Sequence, residues 1–260
     1  MIVTATIPES IQNIAKVALA TGTDMLDILI RSDVVDKLAK YKEILVKSNT
    51  TFITQAGFHP GLVSPIIRYA KAKFDRYETA NVAISMGAVF EQPKAIREIM
   101  HKVIAGKSEV LEKGFWRKAN YKDAIAVNFS SIMGVKKCFP IQMKELYGLE
   151  TELGLQNAGV YVAGFSSFID NYIFPLAVIG GFINKRLSEK FCSWLMFKSI
   201  KSDAIPYLKF MLDAKGMKHG KEIAYHVEIN ANNSFDFTAK AVIACLKQYE
   251  NNRVNTSGLH

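Results

Sequence analysis

Hydrophobic residues follow two different periods along the first 76 residues. Three short β-rich runs bounded by polar or turn-forming residues indicate strands, and the stretches after them carry apolar residues at helical spacing. The predicted strands cover residues 2–5, 25–30 and 50–54, and the predicted helices cover residues 8–22, 34–45 and 62–74. This β-α-β-α-β-loop-α order predicts a parallel sheet with right-handed crossovers, as in half of a doubly wound domain.

The segment after the third predicted strand, residues 55–61 (QAGFHPG), is the most informative turn in the chain. Gly57 allows backbone conformations that other residues rarely adopt. Pro60-Gly61 then breaks regular structure before helical spacing resumes at Leu62. A strand–turn–helix order places this segment at the carboxyl end of a strand, where open α/β sheets bind ligands. A glycine- and proline-containing joint is also an ordinary way for an α/β domain to change direction.

The pattern changes from residue 77 onward. Strands are predicted near residues 81–86, 106–115, 127–129 and 138–143, a helix at 93–105, a hairpin from 207–214 and 222–230, and a last helix at 238–249. These elements are shorter and less regular than those before residue 77.

Trp116 and Arg117 stand between Gly114 and Lys118 in this second part. The favoured interpretation is a hairpin tip at the surface. The alternative is that Arg117 holds a substrate carboxylate, because a planar guanidinium presents two parallel donors.

The most hydrophobic window, residues 158–183, contains one charged residue, Asp170. A run of this length is compatible with a membrane-spanning helix. Gly159, Gly164 and Pro175 argue against a span, and the alternation at 160–163 favours a strand that passes into a buried helix. The following segment, 188–198, is amphipathic and is assigned to the core or to a dimer face.

Composition describes a globular chain of 260 residues with 49% hydrophobic and 22% charged residues. The net charge of +9 has the sign that attracts an anionic dinucleotide or an acidic substrate, and no nucleic-acid motif accompanies it. The three cysteines and five histidines show no metal-ligand spacing, so no metal site is predicted. The N-terminal apolar run is too short for a signal peptide, so we expect reduced thiols and a cytoplasmic protein.

Four stretches of the chain carry a family resemblance. Residues 4–9 (TATIPE) look like the loop after a late Rossmann strand, and residues 55–61 like the link between a dinucleotide-binding and a catalytic domain. Residues 159–165 (GVYVAGF) match a run of that catalytic domain, and residues 238–249 with 258–260 look like its closing helix and strand. Together, and in this order, they resemble the saccharopine dehydrogenase-like oxidoreductases.

The resemblance implies a fold and an activity. Residues 1–76 would be the C-terminal half of a dinucleotide-binding, Rossmann-like domain, and residues 77–260 a mixed α/β domain for substrate binding and dimerisation. The activity would be hydride transfer between NAD or NADP and a C–N bond of a small amino-acid-like substrate. The protein would be a homodimer.

The resemblance also implies roles for individual residues, with Arg117 added from the argument above. His59 is the one titratable side chain of its turn, so it is assigned to positioning or proton transfer, and the alternative is that it only fixes the loop. The residues expected near the cofactor are Thr4, Ala5, Thr6, Pro8, Gln55, Ala56, Gly57 and Phe58. The residues expected near the substrate are Pro60, Gly61 and Arg117.

One departure from the family pattern opens a second hypothesis. The sequence contains no GxGxxG phosphate loop after a first strand. This predicts either a fragment of a longer dehydrogenase, shortened at both ends, or a natural short form that lost its phosphate site. In the second case the chain would be a non-catalytic binding or scaffold protein, associated with a membrane through residues 158–183.

Overall fold

The computed structural model describes residues 1–6, 9–30, 32–87, 93–106, 108–129, 133–166, 168–200, 207–251, 253 and 256–260. These residues form two compact units. The first comprises residues 1–66, 144–146 and 235–260, and the second comprises residues 67–143 and 147–234. The last helix and strand therefore belong to the first unit, whereas the family resemblance assigns them to the catalytic domain. The division into residues 1–76 and 77–260 stays a prediction.

The described residues contain twelve strands and eight α-helices. The strands are β1 (Ile2–Thr4), β2 (Met25–Asp27), β3 (Thr51–Ile53), β4 (Arg76–Gly87), β5 (Glu109–Glu112), β6 (Phe115–Lys118), β7 (Ile125–Asn128), β8 (Val135–Ile141), β9 (Asn157–Ala163), β10 (Tyr207–Lys218), β11 (Lys221–Ala231) and β12 (Gly258–Leu259). The helices are α1 (Ile11–Ala20), α2 (Ser32–Ala39), α3 (Lys42–Lys47), α4 (Val63–Lys71), α5 (Pro93–Ala105), α6 (Leu149–Leu153), α7 (Phe174–Ser199) and α8 (Ser234–Glu250).

The first unit contains a four-stranded sheet in the order β1-β2-β3-β12. Every neighbouring pair in this sheet is parallel. The predicted parallel sheet is therefore confirmed, with β12 from the end of the chain as an added fourth strand. The three predicted strands near the N-terminus are each shortened to three residues.

Helices cover both faces of this parallel sheet, because alternate side chains of a strand point to opposite faces. Met25 and Phe52 pack against apolar residues of α1, α2 and α3. Leu26 and Ile53, one position further along their strands, pack against apolar residues of α8. The result is a sheet between two helical layers, with its core on both sides.

The helix predicted over residues 34–45 is wrong in one respect, since the structure divides it into α2 and α3. The amide of Tyr41 donates to the carbonyl of Leu38, three residues back, at 2.9 Å. This tighter turn interrupts the series of i to i−4 hydrogen bonds. The apolar spacing does not reveal the interruption, because Val34, Leu38 and Leu45 still pack into one core.

The second unit contains a mixed sheet in the order β11-β10-β4-β9-β5-β6, to which β8 adds through β9 and β7 through β8. β4 and β9 are parallel, and β10 and β11 form the predicted hairpin next to β4. The segment predicted as extended over 106–115 is one strand and part of a second, since β5 and β6 form a hairpin that turns at Lys113 and Gly114. The predicted combination of a parallel and a mixed sheet is confirmed.

Residues 158–183 pass from a strand into a helix, as predicted, but that helix is not buried. A π-helical turn, Ile169–Ile173, leads into α7, which breaks at Asn184 where φ is −149° and ψ is 99°. The Ser188 hydroxyl donates to the carbonyl of Ala177, eleven positions earlier, at 2.8 Å, so the two arms of α7 fold back on each other. Apolar periodicity cannot distinguish a helix within a core from an arm that ends at an exposed tip.

The length and hydrophobicity of residues 158–183 are also compatible with a membrane span. Among the described residues, no helix combines the length and the apolar character that crossing a bilayer requires.

Candidate functional site

The carboxyl edge of the parallel sheet in the first unit brings polar residues from three strands side by side. Thr4 ends β1 and pairs in register with Asp27, which ends β2. β3 lies on the other side of β2, and Thr54 and the 55–61 turn follow it. Because the strands are parallel, all three chain ends leave the sheet at this edge, where α/β proteins bind ligands.

Asp27 is the central side chain of this edge and is fully buried. Its Oδ1 accepts the amide hydrogens of Leu29 at 2.9 Å and of Gln55 at 3.2 Å. Its Oδ2 is also buried. Burial raises the pKa of the Asp27 carboxyl, while the Thr54 hydroxyl and the two amides partly oppose that increase.

The turn at residues 55–61 lies against this carboxylate through its backbone. The Ala56 amide donates to the Asp27 carbonyl at 2.8 Å. Gln55 is buried and holds a left-handed conformation, with φ of 59°, which a side chain seldom adopts. Such backbone conformations persist where surrounding contacts enforce them, often at functional sites.

Gly61 closes the turn with φ of 125°. A Cβ at this position would overlap the carbonyl oxygens of Gln55 and Gly57 and lie 2.8 Å from the Gly57 amide nitrogen. These are backbone atoms, which cannot rotate away as a flexible side chain can. The close approach of the two ends of the turn therefore requires glycine at position 61.

Glu145, from a segment distant in sequence, holds the end of the same turn. Its carboxylate accepts the amide hydrogen of Gly61 at 2.9 Å and that of Ser64 at 3.0 Å. Ser64 lies in the first turn of α4, so the negative charge occupies the positive end of that helix. The amides at this helix start are thereby bonded within the protein.

Two aromatic rings fill the middle of the turn. The rings of Phe58 and His59 lie 4.2 Å apart between centroids, and Phe58 also makes an edge contact with Phe237 of α8 at 5.5 Å. Phe58 is buried and His59 is partly exposed. The His59–Pro60 peptide bond is cis. The histidine is thus held on one side by packing while part of its ring reaches the surface.

The structure therefore brings most of the predicted site residues of the first unit to one edge. Thr4 is buried, Ala5 exposed and Thr6 intermediate, directly after β1. The complete 55–61 turn follows β3 at the same edge. Pro8 lies outside the described residues.

Arg117 belongs to the second unit, on β6, and its guanidinium is held by acidic neighbours. It donates to Glu112 at 2.5 Å and to Asp123 at 2.6 Å. The guanidinium keeps the pKa of the Asp123 carboxyl below its ordinary value. Two carboxylates already contact this cation. Arg117 lies on β6, directly after the β5–β6 turn, within the hairpin that the favoured interpretation describes.

Known proteins share this fold without close sequence similarity. No protein-family model and no curated protein matches the sequence. Saccharopine dehydrogenase (L-Glu forming) from Saccharomyces cerevisiae is similar with a TM-score of 0.67 and 10% identity, over 99% of this chain and 78% of that chain. The fold resembles that of saccharopine dehydrogenase. At this identity the similarity is one of architecture, and it agrees with the resemblance of the sequence stretches.

Other dehydrogenases match less well than saccharopine dehydrogenase. DAP dehydrogenase from C. glutamicum, in complex with DAP, has a TM-score of 0.46 and 13% identity over 100% of this chain and 72% of that chain. A mutant meso-DAP dehydrogenase with DAP from Clostridium tetani has a TM-score of 0.47 and 10% identity over 100% of this chain and 75% of that chain.

Asp27 and Glu145 are the two residues of this edge that sequence reasoning missed. Asp27 had a usable signal, since it is a lone carboxylate at the end of an apolar strand and therefore at the carboxyl edge. Glu145 had none, because 84 positions separate it from Gly61 and only folding brings them together.

Sequence reasoning also missed a group of one lysine and two hydroxyls in the second unit. The Lys136 ammonium donates to the Tyr207 hydroxyl at 2.7 Å and to the Ser85 hydroxyl at 3.3 Å. Ser85 is buried, and the two hydroxyl oxygens lie 3.2 Å apart. Three donor groups of this kind, gathered on β4, β8 and β10, can bind an anionic group.

Proposed function

We propose that this chain acts as an NAD- or NADP-dependent oxidoreductase that transfers hydride at a C–N bond of an amino-acid-derived substrate. The observation that supports it best is the edge formed by Thr4, Asp27 and the 55–61 turn, in a fold that resembles saccharopine dehydrogenase. The family resemblance of the sequence stretches supports the same class. We further propose a cytoplasmic homodimer, as that resemblance implies.

The residues at this edge fit the nicotinamide end of the cofactor. When bound, the cofactor supplies or accepts the hydride. Exposed Ala5 and half-buried Thr6, which follow β1, would contact it together with the buried turn at 55–58. The sequence contains no GxGxxG loop for the pyrophosphate, so the fit concerns the nicotinamide end only.

We propose Asp27 and His59 as the groups that handle the proton accompanying hydride transfer. Burial raises the pKa of Asp27, so its carboxyl holds a proton more readily than an exposed one does. His59 is partly exposed at the same turn and its ring is oriented by Phe58. We propose that His59 moves the proton at the substrate, with Pro60 and Gly61 beside it. A separate proposal is that Arg117 binds a substrate carboxylate, for which it would have to release Glu112 or Asp123.

Cofactor binding is the first test of this proposal. We expect NADH and NADPH fluorescence to change on titration into the protein, with affinity for one or both. Thr6→Val should weaken that binding about five-fold, since one hydrogen-bonding group contributes about 1 kcal/mol. The control is Thr23→Val, which removes a hydroxyl just before β2, at the opposite edge of the sheet. If neither dinucleotide binds, the oxidoreductase proposal is wrong and the non-catalytic binding protein is favoured.

The role of His59 is tested with two substitutions of different size. We expect His59→Asn to keep the melting temperature of the wild type and to lower kcat about 10²- to 10⁴-fold, because an amide can form a hydrogen bond but cannot transfer a proton. The assay follows NAD(P)⁺ reduction by a panel of L-amino acids and their N-carboxyalkyl derivatives. His59→Ala reports the packing contribution separately. Full activity of His59→Asn would instead assign His59 to fixing the loop.

A further inference from the structure

The tip of the hairpin in α7 is an exposed apolar surface. Phe182 and Ile183, which come directly before the break at Asn184, are each 86% exposed. Ile179 and Leu187 on the two arms are also exposed. Single exposed apolar residues are ordinary on a protein surface, but several large apolar groups exposed next to one another mark an interaction surface.

The hairpin that carries this tip has a defined backbone, held by hydrogen bonds at its break and between its arms. The Asn184 side chain accepts the amide hydrogen of Leu187 at 3.0 Å and so caps the second arm. The Ser188–Ala177 hydrogen bond joins the arms, and a Cβ at Gly180 would meet the Ser188 hydroxyl at 2.7 Å. The glycine therefore permits the close approach of the arms, and the apolar tip follows from a defined backbone.

Exposed basic residues follow the apolar tip in the sequence. Lys185 and Arg186 follow Asn184 at once, and Lys190 lies one turn further along the second arm. The one acidic residue of α7, Glu189, lies 3.4 Å from His101 of α5. Apolar side chains next to Lys and Arg are the combination with which interfacial helices bind anionic lipid surfaces.

We propose that this tip binds the surface of a membrane containing anionic lipids. Phe182 and Ile183 enter the boundary between headgroups and acyl chains, while Lys185 and Arg186 contact the lipid headgroups. The charges favour a membrane over a second copy of the chain, because two identical cationic tips would repel each other. The binding is peripheral, through a helical hairpin that lies at the surface, and is independent of the proposed oxidoreductase activity.

Vesicle co-sedimentation of the full chain tests the proposal. We expect the wild type to bind vesicles of phosphatidylcholine with about 30% phosphatidylserine and to bind pure phosphatidylcholine weakly. The double variant Phe182→Ser/Ile183→Ser should lose about ten-fold or more in binding. The matched control is Phe115→Ser/Val135→Ser, because Phe115 and Val135 are 79% and 67% exposed on β6 and β8.

A second pair of variants separates the charge contribution. Lys185→Gln/Arg186→Gln should lose about five-fold in vesicle binding for each charge removed. Lys122→Gln/Lys221→Gln removes the same net charge from exposed positions elsewhere and should change binding little. If a tip variant fails to fold, hydrogen exchange on the wild type remains decisive, since vesicles should protect residues 178–190 from exchange.

Three results would overturn the proposal. The first is a wild type that does not bind anionic vesicles, and the second is equal binding by the tip variants and their controls. The third is a wild-type dimer that Phe182→Ser/Ile183→Ser converts to a monomer in light scattering without vesicles, which would assign the tip to a protein interface.

Discussion

Gly61→Ala is expected to lower the free energy of unfolding of the first unit by about 3 kcal/mol or more. The added methyl group would overlap backbone atoms of Gln55 and Gly57, and the φ of 125° at this position is one that side chains rarely adopt. Substitutions that force strain on such a backbone belong to the most destabilising class. Denaturant unfolding followed by far-UV circular dichroism measures the change in the free energy of unfolding. Titration with NADH and NADPH reports whether the turn still supports cofactor binding.

The control for Gly61→Ala is Gly22→Ala. Gly22 also has positive φ, at 59°, but nothing lies within 4 Å of its added Cβ. Its substitution should therefore cost only the left-handed backbone penalty, about 1–2 kcal/mol. The difference between the two variants isolates the steric overlap inside the turn. Equal losses in the two variants would show that the 55–61 turn opens to accept the methyl group.

Asp27→Asn is expected to become more stable relative to the wild type as the pH rises from about 4 to 7. Burial raises the pKa of Asp27 in the folded state, so the unfolded chain releases this proton first. Wild-type stability therefore falls as the pH rises from the unfolded pKa to the folded one, by about 1.4 kcal/mol for each unit between them. Asn keeps an oxygen that accepts from Leu29 and Gln55 and carries no charge.

The measurement for Asp27→Asn is denaturant unfolding of both proteins at several pH values. Asp123→Asn provides a comparison with the opposite sign, because Arg117 lowers the pKa of Asp123. There the wild type should gain stability over its variant as the pH rises towards about 4, because the folded pKa lies below the unfolded one, and the gain should stay constant at higher pH. A difference between the wild type and Asp27→Asn that stays constant across this pH range would mean that Asp27 is not perturbed by burial.

Local patterns predicted the elements at the edge of the parallel sheet. The runs around β1, β2 and β3 are β-rich and short, and helical spacing follows each one, so the parallel order could be predicted without tertiary information. The 55–61 turn was equally visible, since Gly57, Pro60 and Gly61 interrupt any regular structure. Its position at the carboxyl edge then followed from the direction of the strand.

The remaining features depend on residues that are far apart in the sequence. The N–H groups of Gly61 and Ser64 required a partner, but nothing local indicates that Glu145 is that partner. The apolar face of α8 indicates that this helix packs against a core. It does not indicate that the core contains Leu26 and Ile53 of the first unit. Hydropathy likewise marked residues 158–183 as apolar without showing that Phe182 and Ile183 would be exposed.

The sequence by itself determined the order of strands and helices, the parallel sheet, and the break in regular structure at Gly57, Pro60 and Gly61. These follow from backbone preferences and apolar spacing over a few neighbouring residues. Only the tertiary structure decided that Asp27 is buried at the carboxyl edge of the sheet, that Glu145 holds the turn, and that the tip of α7 is exposed. Burial, electrostatic environment and exposure are set by which distant segments meet, and local pattern does not contain that information.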